Sequence, residues 1–173
     1  MKYFNGFSLC SEEVFFKEQL IYSEYAVAGF SYGAQKAFEY AYNSTERVDR
    51  LILISPAFFQ NYKKSFIKTQ LRYFKADRES YIKQFLKNVV YPSSVDLSSH
   101  LCYGTYEELE SLLSYVWKKD KILELLERGV IIEVFMGDND KIVDSKISYE
   151  FFSELLPVYF FKGRGHLLLP NFT

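Results

Sequence analysis

The segment Gly29-Phe30-Ser31-Tyr32-Gly33 constrains this chain more than any other part of it. A short apolar, β-favouring run over 25–28 leads into it, and a helix-compatible run over 34–42 follows at once. The pattern predicts a strand, a sharp turn and a helix, with Ser31 at the tip of the turn. Glycine on either side removes side chains that would collide in so tight a turn. The N–H groups at the start of the helix favour negative charge beside the serine. We therefore interpret Ser31 as a nucleophile, the alternative being an ordinary strand-to-helix turn.

Composition excludes several classes of protein. The chain has 173 residues, of which 49% are apolar and 25% charged, so it suits one globular domain, 1–173, and not a disordered segment. The formal net charge of −1 provides no overall field toward nucleic acid or membranes. We predict neither of those partners, and no metal or cofactor.

The two cysteines, Cys10 and Cys102, are too few and too scattered for a disulfide framework or a metal site. Two unpaired thiols are typical of a reducing compartment. The sequence contains no apolar run of 18 residues and no apolar signal-peptide core at its start. These features predict a soluble, cytoplasmic protein.

Apolar runs of strand length alternate with helical segments along the chain. Such alternation predicts a three-layer α/β domain with a reduced parallel sheet of about five strands. We expect helices over 11–21 (capped by Ser11), 34–43, 106–128 and 145–155, and strands over 2–7, 25–28, 48–55, 130–136 and 158–161. The rhythm lapses between 56 and 105, and we interpret this stretch as a helical lid embedded in the domain.

A serine nucleophile needs a base, and the sequence offers two histidines. His166 follows Gly163-Arg164-Gly165 directly after the last predicted strand, and ligand-facing loops in parallel sheets lie beyond the carboxyl ends of the strands. We therefore expect His166 and Ser31 at the same edge. His100 lies in the predicted lid, where a solvated or packing role is more typical.

A carboxylate is then needed to orient the imidazole and stabilise its charged form. Asp138, Asp140 and Asp144 all follow the strand predicted over 130–136. Asp138 suits a turn cap, and Asp144 precedes a helix in the manner of an N-cap. The pattern favours Asp140.

The order serine, aspartate, histidine, each after a strand, resembles the α/β-hydrolase superfamily over nearly the whole chain. The resemblance implies Asp140 as the acid, since the family places it last in a Gly-x-x-Asp turn. Asn5-Gly6-Phe7-Ser8 resembles the family's oxyanion loop, which implies that the backbone N–H groups of Phe7 and Tyr32 hold the oxyanion. The chain departs from the family at Asn5, where histidine is usual, and in lacking the first two strands and one βα unit.

The predicted lid is strongly basic. Between positions 60 and 90 it carries eight basic residues against two acids, a local charge of +6, whereas a solvated helix face normally mixes both signs. Four of the basic residues recur at helical spacing on one face and two continue the pattern on the next helix: Lys64, Lys68, Arg72, Lys75, then Lys83 and Lys87.

A lid that is basic outside and aromatic inside resembles that of the short pimeloyl-acyl-carrier-protein methyl ester esterases of biotin synthesis. This resemblance implies an acidic acyl carrier protein as the partner, docked on the basic residues, and hydrolysis of the methyl ester of its acyl chain by a serine carboxylesterase. Two alternatives stay open at the level of sequence. One is a general short-chain carboxylesterase or lipid-type acyl hydrolase, and the other is a weakly catalytic ligand-binding protein of the same fold.

Overall fold

A single parallel β-sheet forms the centre of the computed structural model, which describes residues 1–170. Within that range the sheet has five strands in the spatial order β1-β2-β3-β4-β5, and every neighbouring pair is parallel. The strands are β1 Lys2–Phe4, β2 Ala26–Phe30, β3 Arg50–Ile54, β4 Ile131–Gly137 and β5 Val158–Phe161. The α/β fold and the reduced parallel sheet predicted from the sequence are confirmed.

Strand β1 pairs directly with β2, in a register that sets Phe4 opposite Gly29. Strand order in space therefore equals strand order in the chain. The sheet has no strand between β1 and β2 in the described part of the chain, which agrees with the missing βα unit noted in the sequence.

Both faces of the sheet are covered, and β3 shows this most clearly. Leu51 and Leu53 belong to one core cluster, whereas Ile52 and Ile54 belong to the other, as the alternation of a strand requires. All four side chains are fully buried. This double burial explains why β3 appears in the sequence as a continuous apolar run.

Six α-helices lie around the sheet within residues 1–170. They are α1 Tyr32–Asn43, α2 Lys64–Ala76, α3 Arg78–Val90, α4 Tyr106–Ser114, α5 Lys119–Glu127 and α6 Ser145–Ser153. One core cluster includes buried residues of α1, α4, α5 and α6. On the opposite face, Phe16, Leu20 and Leu97 pack with Val89 of α3. No helix in the described range is long and apolar enough to cross a bilayer.

The helix predicted over 11–21 is wrong in length and in its cap. Only a short 3₁₀ segment, Glu12–Phe16, forms there. Ser11 is left-handed, with φ 55°, and its side chain caps nothing. Its N–H instead donates to the Asn5 side-chain oxygen at 3.2 Å, because the chain must turn sharply out of the loop that follows β1.

The single helix predicted over 106–128 is also wrong, since α4 and α5 are separated by an extended segment at 115–118. Trp117 lies in this break and is buried. Its indole N–H donates to the Ala57 carbonyl at 2.9 Å, and its backbone N–H donates to the Gln60 side chain at 2.7 Å. Val116, which one continuous helix would place on the same face as Leu112 and Leu113, is 53% exposed. The extended segment forms in place of a continued helix because it buries Trp117 and allows these two hydrogen bonds.

The prediction that the cysteines stay unpaired is wrong, because Cys10 and Cys102 form a disulfide across a sequence separation of 92, with their Cα atoms 5.8 Å apart. Backbone hydrogen bonds flank it: the Cys10 N–H donates to the His100 carbonyl at 2.8 Å, and the Cys102 N–H to the Ser8 carbonyl at 3.0 Å. The disulfide ties the loop after β1 to the end of the segment 56–105. The argument from free thiols to a reducing compartment therefore does not hold.

Candidate active site

Ser31 lies at the tip of the turn between β2 and α1, with φ 55° and ψ −114°. Its N–H donates to the Ile54 carbonyl at 2.9 Å, which ties the turn to the end of β3. A Cβ atom at Gly29 would collide with the carbonyl of Gly33, and one at Gly33 would collide with the carbonyl of Phe4. The two glycines thus make room mainly for backbone, which lets α1 begin immediately beside β1.

His166 lies after β5 and contacts both other predicted members of the site. Its Nε2 is 2.8 Å from the Ser31 Oγ, and its Nδ1 is 2.6 Å from an Asp140 carboxylate oxygen. The three side chains come from loops after β2, β4 and β5, and they meet at the carboxyl edge of the sheet. The separations suit a nucleophile, a base and a group that orients the base.

Asp138, Asp140 and Asp144 make the different contacts that their positions in the sequence predict. The second oxygen of Asp140 accepts the N–H groups of Ile142 at 2.6 Å and Val143 at 3.2 Å. These two hydrogen bonds hold the carboxylate in the orientation in which it contacts the imidazole. Asp138 instead accepts the Gly163 N–H at 2.6 Å, and Asp144 caps α6. Only Asp140 of the three contacts His166 within residues 1–170.

The three side chains of the site are almost completely buried. Ser31 is 1% exposed, and the side chains of His166 and Asp140 are 0% and 2% exposed. A cavity of about 350 Å³ lies between α2, α3 and α4, and Phe59, Tyr62, Phe66 and Phe85 are among its lining residues. It extends to Ile142, whose N–H binds Asp140. The cavity is large enough and apolar enough for an acyl chain.

The two backbone groups predicted to form an oxyanion hole have no hydrogen-bond partner within residues 1–170. Tyr32 is the first residue of α1, so no intrahelical carbonyl faces its N–H. Neither its N–H nor that of Phe7 donates a hydrogen bond to an atom in the described range. The loop bearing Phe7 lies directly beside Phe30, since a Cβ on Gly6 would meet that ring at 2.8 Å.

The basic residues predicted on the lid are all exposed, and none forms an ion pair within residues 1–170. They are Lys64, Lys68, Arg72, Lys75, Lys83 and Lys87. The apolar residues expected to face inward do so, with Phe74 and Ile82 buried and Phe85 packed against the core. Lys83 and Lys87 also line a second groove, of about 820 Å³, beside α3.

His100 makes no hydrogen bond to Ser31 or Asp140 within residues 1–170. Its ring packs against Phe15, with centroids 5.0 Å apart, and its Nδ1 is 3.1 Å from the Cys10 carbonyl. These contacts give it the packing role expected from the sequence. No cluster of three or more potential metal ligands occurs within the described part of the chain.

Two polar residues near the site were not identified from the sequence. The Ser55 hydroxyl is buried at the end of β3 and donates to the His166 carbonyl at 2.6 Å. Its place just beyond an apolar run, at the same edge as Ser31, is the signal that points to it. Glu12 is buried behind the loop bearing Phe7, and it appeared in the sequence only as an early acid of a helix.

Comparisons with known proteins yield fold neighbours alone. No protein-family model matches the chain, and no curated protein matches it. An esterase from Exiguobacterium antarcticum is 17% identical, with a TM-score of 0.52, over 80% of this chain and 58% of its own. Carboxylesterase CesB from Bacillus subtilis is 21% identical, with a TM-score of 0.53, over 91% and 57%. This chain thus spans less than two thirds of those esterases.

BioG from Haemophilus influenzae is a fold neighbour that matches this chain over most of its own length. It is 11% identical, with a TM-score of 0.61, and the match covers 95% of this chain and 87% of BioG. At such identities a likeness of structure establishes the fold and nothing finer. That fold is the α/β-hydrolase fold, here in a reduced form.

Proposed function

We propose that this protein is a serine carboxylesterase that acts through an acyl-enzyme. The observation that carries the proposal is the continuous hydrogen-bonded series from Ser31 through His166 to Asp140, buried at the carboxyl edge of the sheet. The esterases and carboxylesterases among its fold neighbours support it.

The proposed reaction has two steps. Ser31 Oγ attacks the ester carbonyl while its proton passes to His166 Nε2, and Asp140 stabilises the imidazolium. The N–H groups of Phe7 and Tyr32 hold the oxyanion, each contributing roughly 3 kcal/mol to transition-state stabilisation. The ester C–O bond breaks, and the alcohol leaves with the proton from His166. Water, deprotonated by His166, then attacks the acyl-enzyme, which releases the acid and restores Ser31.

For the substrate we propose the methyl ester of an acyl chain carried on an acidic acyl carrier protein. The sequence resembles esterases that act on the pimeloyl chain in biotin synthesis, so we propose pimeloyl as that chain. The exposed, unpaired cations on α2 and α3 support a protein partner of opposite charge. The aromatic cavity between α2, α3 and α4 supports an acyl chain. The extent of the match to BioG, over most of both chains, supports a short enzyme of this kind. In this proposal 56–105 is the lid, and the cytoplasmic location stays a prediction.

The test is hydrolysis of methyl-esterified acyl carrier protein, followed by mass spectrometry as loss of the methyl group. The wild type should convert it, and the Ser31→Ala variant should be slower by several orders of magnitude. Equal kcat/KM on the carrier substrate and on a small methyl ester of the same acid would favour a general carboxylesterase instead.

Reaction with an active-site-directed fluorophosphonate separates an enzyme from a ligand-binding protein. Stoichiometric labelling of the wild type at Ser31, absent in Ser31→Ala, is the expected result. A folded wild type that takes up no label would remove the esterase proposal.

A further inference from the structure

Glu12 is an ionisable residue that is completely buried, at 0% exposure. It lies at the start of the 3₁₀ segment, behind the loop that joins this segment to β1. One carboxyl oxygen accepts the Gly6 N–H at 2.7 Å and the Tyr3 hydroxyl at 3.3 Å. The Gly6 bond is short, and it is made to backbone, so the side chain of Glu12 is tied to the position of the loop itself.

The other carboxyl oxygen, Oε2, has no hydrogen-bond partner among residues 1–170. Burial of a carboxyl group with half of its hydrogen-bonding capacity unused is unfavourable. Burial also raises the pKa of Glu12 above its ordinary value, which favours the neutral acid. A neutral Glu12 would place no negative charge behind the loop. An apolar side chain would avoid the burial cost, so the contact with Gly6 is the feature that distinguishes glutamate here.

The hydrogen bonds of Gly6 determine where the next N–H points. The Gly6 carbonyl accepts the Leu9 N–H at 3.2 Å. In a trans peptide this carbonyl and the Phe7 N–H lie in one plane and point in opposite directions. Gly6 is therefore held at its N–H by Glu12 and at its carbonyl by Leu9. The Phe30 ring closes the remaining side, because it leaves no room for a Cβ on Gly6.

We propose that Glu12 is a positioning residue that holds the Gly6–Phe7 peptide so that the Phe7 N–H points at the developing oxyanion. The proposal rests on the esterase function proposed above, in which Phe7 is one of two oxyanion donors. Glu12 does not touch the substrate in this scheme. It acts only through Gly6, so its contribution appears when charge develops on the ester oxygen.

Kinetics of the wild type and of the variants Glu12→Leu, Glu12→Gln and Glu13→Ala test the assignment. Leucine fills the site but accepts no hydrogen bond, whereas glutamine keeps an acceptor oxygen. Glu13 is the matched control, since its carboxylate makes no hydrogen bond within 1–170. Glu12→Ala serves as a second variant without an acceptor, in case leucine does not fit, and thermal melting establishes that each variant is folded.

We expect Glu12→Leu to lower kcat on a small ester by about 10- to 100-fold with KM within about threefold, because removal of an oxyanion donor costs about 10² to 10³ in kcat and a displaced donor costs part of that. Glu12→Gln and Glu13→Ala should stay within about threefold of wild type. A folded Glu12→Leu or Glu12→Ala with wild-type kcat would overturn the proposal. So would a Glu12→Gln variant as slow as Glu12→Leu, since charge or packing would then be responsible.

Amide hydrogen exchange separates failure of this inference from failure of the esterase function. In wild type the Gly6 amide should exchange slowly, and in Glu12→Leu it should exchange at least tenfold faster, whether or not the protein hydrolyses esters. Unchanged Gly6 protection would overturn the positioning role even in an active enzyme. An inactive wild type in which protection is lost in Glu12→Leu would overturn the esterase function and, with it, the oxyanion role of the loop.

Discussion

Ser31 occupies a backbone conformation that residues other than glycine seldom adopt. Its φ of 55° with ψ of −114° lies outside the α and β regions. Such conformations cost on the order of 1–3 kcal/mol and persist only where the surroundings impose them. Here the surroundings are the Ile54 carbonyl, which accepts the Ser31 N–H, and the close contact of Gly33 with β1.

Relief of this strain is measurable. The free energy of unfolding of Ser31→Gly should be about 0.5–2 kcal/mol higher than that of Ser31→Ala, because glycine adopts this conformation without strain. The greater conformational freedom of glycine in the unfolded chain offsets part of this gain. Both variants lack the hydroxyl bonded to His166, so the comparison isolates the backbone. Urea unfolding of the two variants gives the difference. A Ser31→Gly variant less stable than Ser31→Ala would show that the turn is not strained.

Asp140 and Asp138 lie two residues apart, and they allow a matched comparison. In Asp140→Asn the side-chain oxygen can still accept the N–H groups of the loop, but the amide nitrogen then faces His166 and selects the wrong tautomer. In serine proteases the equivalent change lowers kcat by about 10⁴, and we expect a loss of that order here. Asp138→Asn should stay within about tenfold, since an amide oxygen can still accept the Gly163 N–H. Steady-state kinetics on one ester would contradict the assignment if Asp138→Asn were the slower variant.

The residues that meet at Ser31 could be predicted because each follows a strand, and parallel strands end at one edge. The position of Ser55 at the end of a strand can be seen in the sequence, but its hydrogen bond to the His166 carbonyl cannot. The hydrogen bond from the Gly6 N–H to Glu12 could not be predicted, because it depends on the short 3₁₀ segment that forms in place of the expected helix. Ser55 and His166 are separated by 111 positions, so no local pattern indicates their contact.

At the scale of elements, periodicity predicted most helices and strands but not where one helix stops. The sequence places Leu109, Leu112, Leu113, Val116 and Leu126 on one apolar face of a single predicted helix, whereas the structure has two helices. Helix propensity at 115–118 is outweighed by burial of Trp117 and by its hydrogen bond to Ala57, which lies 60 positions earlier in the sequence. The residues around 115–118 do not indicate that Trp117 binds a carbonyl so far away in the sequence.

The disulfide between Cys10 and Cys102 should stabilise the connection between the loop after β1 and the end of the segment 56–105. Loss of a cross-link that closes so long a loop typically costs about 2–5 kcal/mol. We expect Cys102→Ser to lower the free energy of unfolding by that amount in urea without reductant. With reductant, wild type should fall to the level of the variant, and the variant should not change. Two titratable thiols in unreduced, denatured wild type would show that the cross-link does not form.

For the whole molecule, the important feature is the separation of charge. The chain is nearly neutral overall, yet residues 60–90 carry a local charge of +6, so the rest of the chain is acidic. Single exposed ion pairs contribute little to affinity, typically under about 1 kcal/mol. An array of one sign raises the rate at which an oppositely charged protein associates, and its effect decreases with salt. Hydrolysis of a carrier-bound ester should therefore depend on these basic residues, whereas hydrolysis of a small ester should not.

The double variant Lys68→Glu/Arg72→Glu reverses two exposed charges on α2. We expect KM for the carrier-bound ester to rise about tenfold or more, while kcat on a small ester stays unchanged because the site at Ser31 is untouched.

The matched control is Lys17→Glu/Lys162→Glu, which makes the same change of net charge at two exposed lysines outside the lid. It should leave both substrates within about twofold of wild type. The preference of wild type for the carrier substrate should also shrink toward 0.5 M salt, where the Debye length falls to roughly 4 Å. Equal losses on both substrates in the lid variant would mean that Lys68 and Arg72 hold the lid together. An unchanged KM would mean that the stripe is an ordinary solvated face, and the carrier protein would lose its main support as the partner.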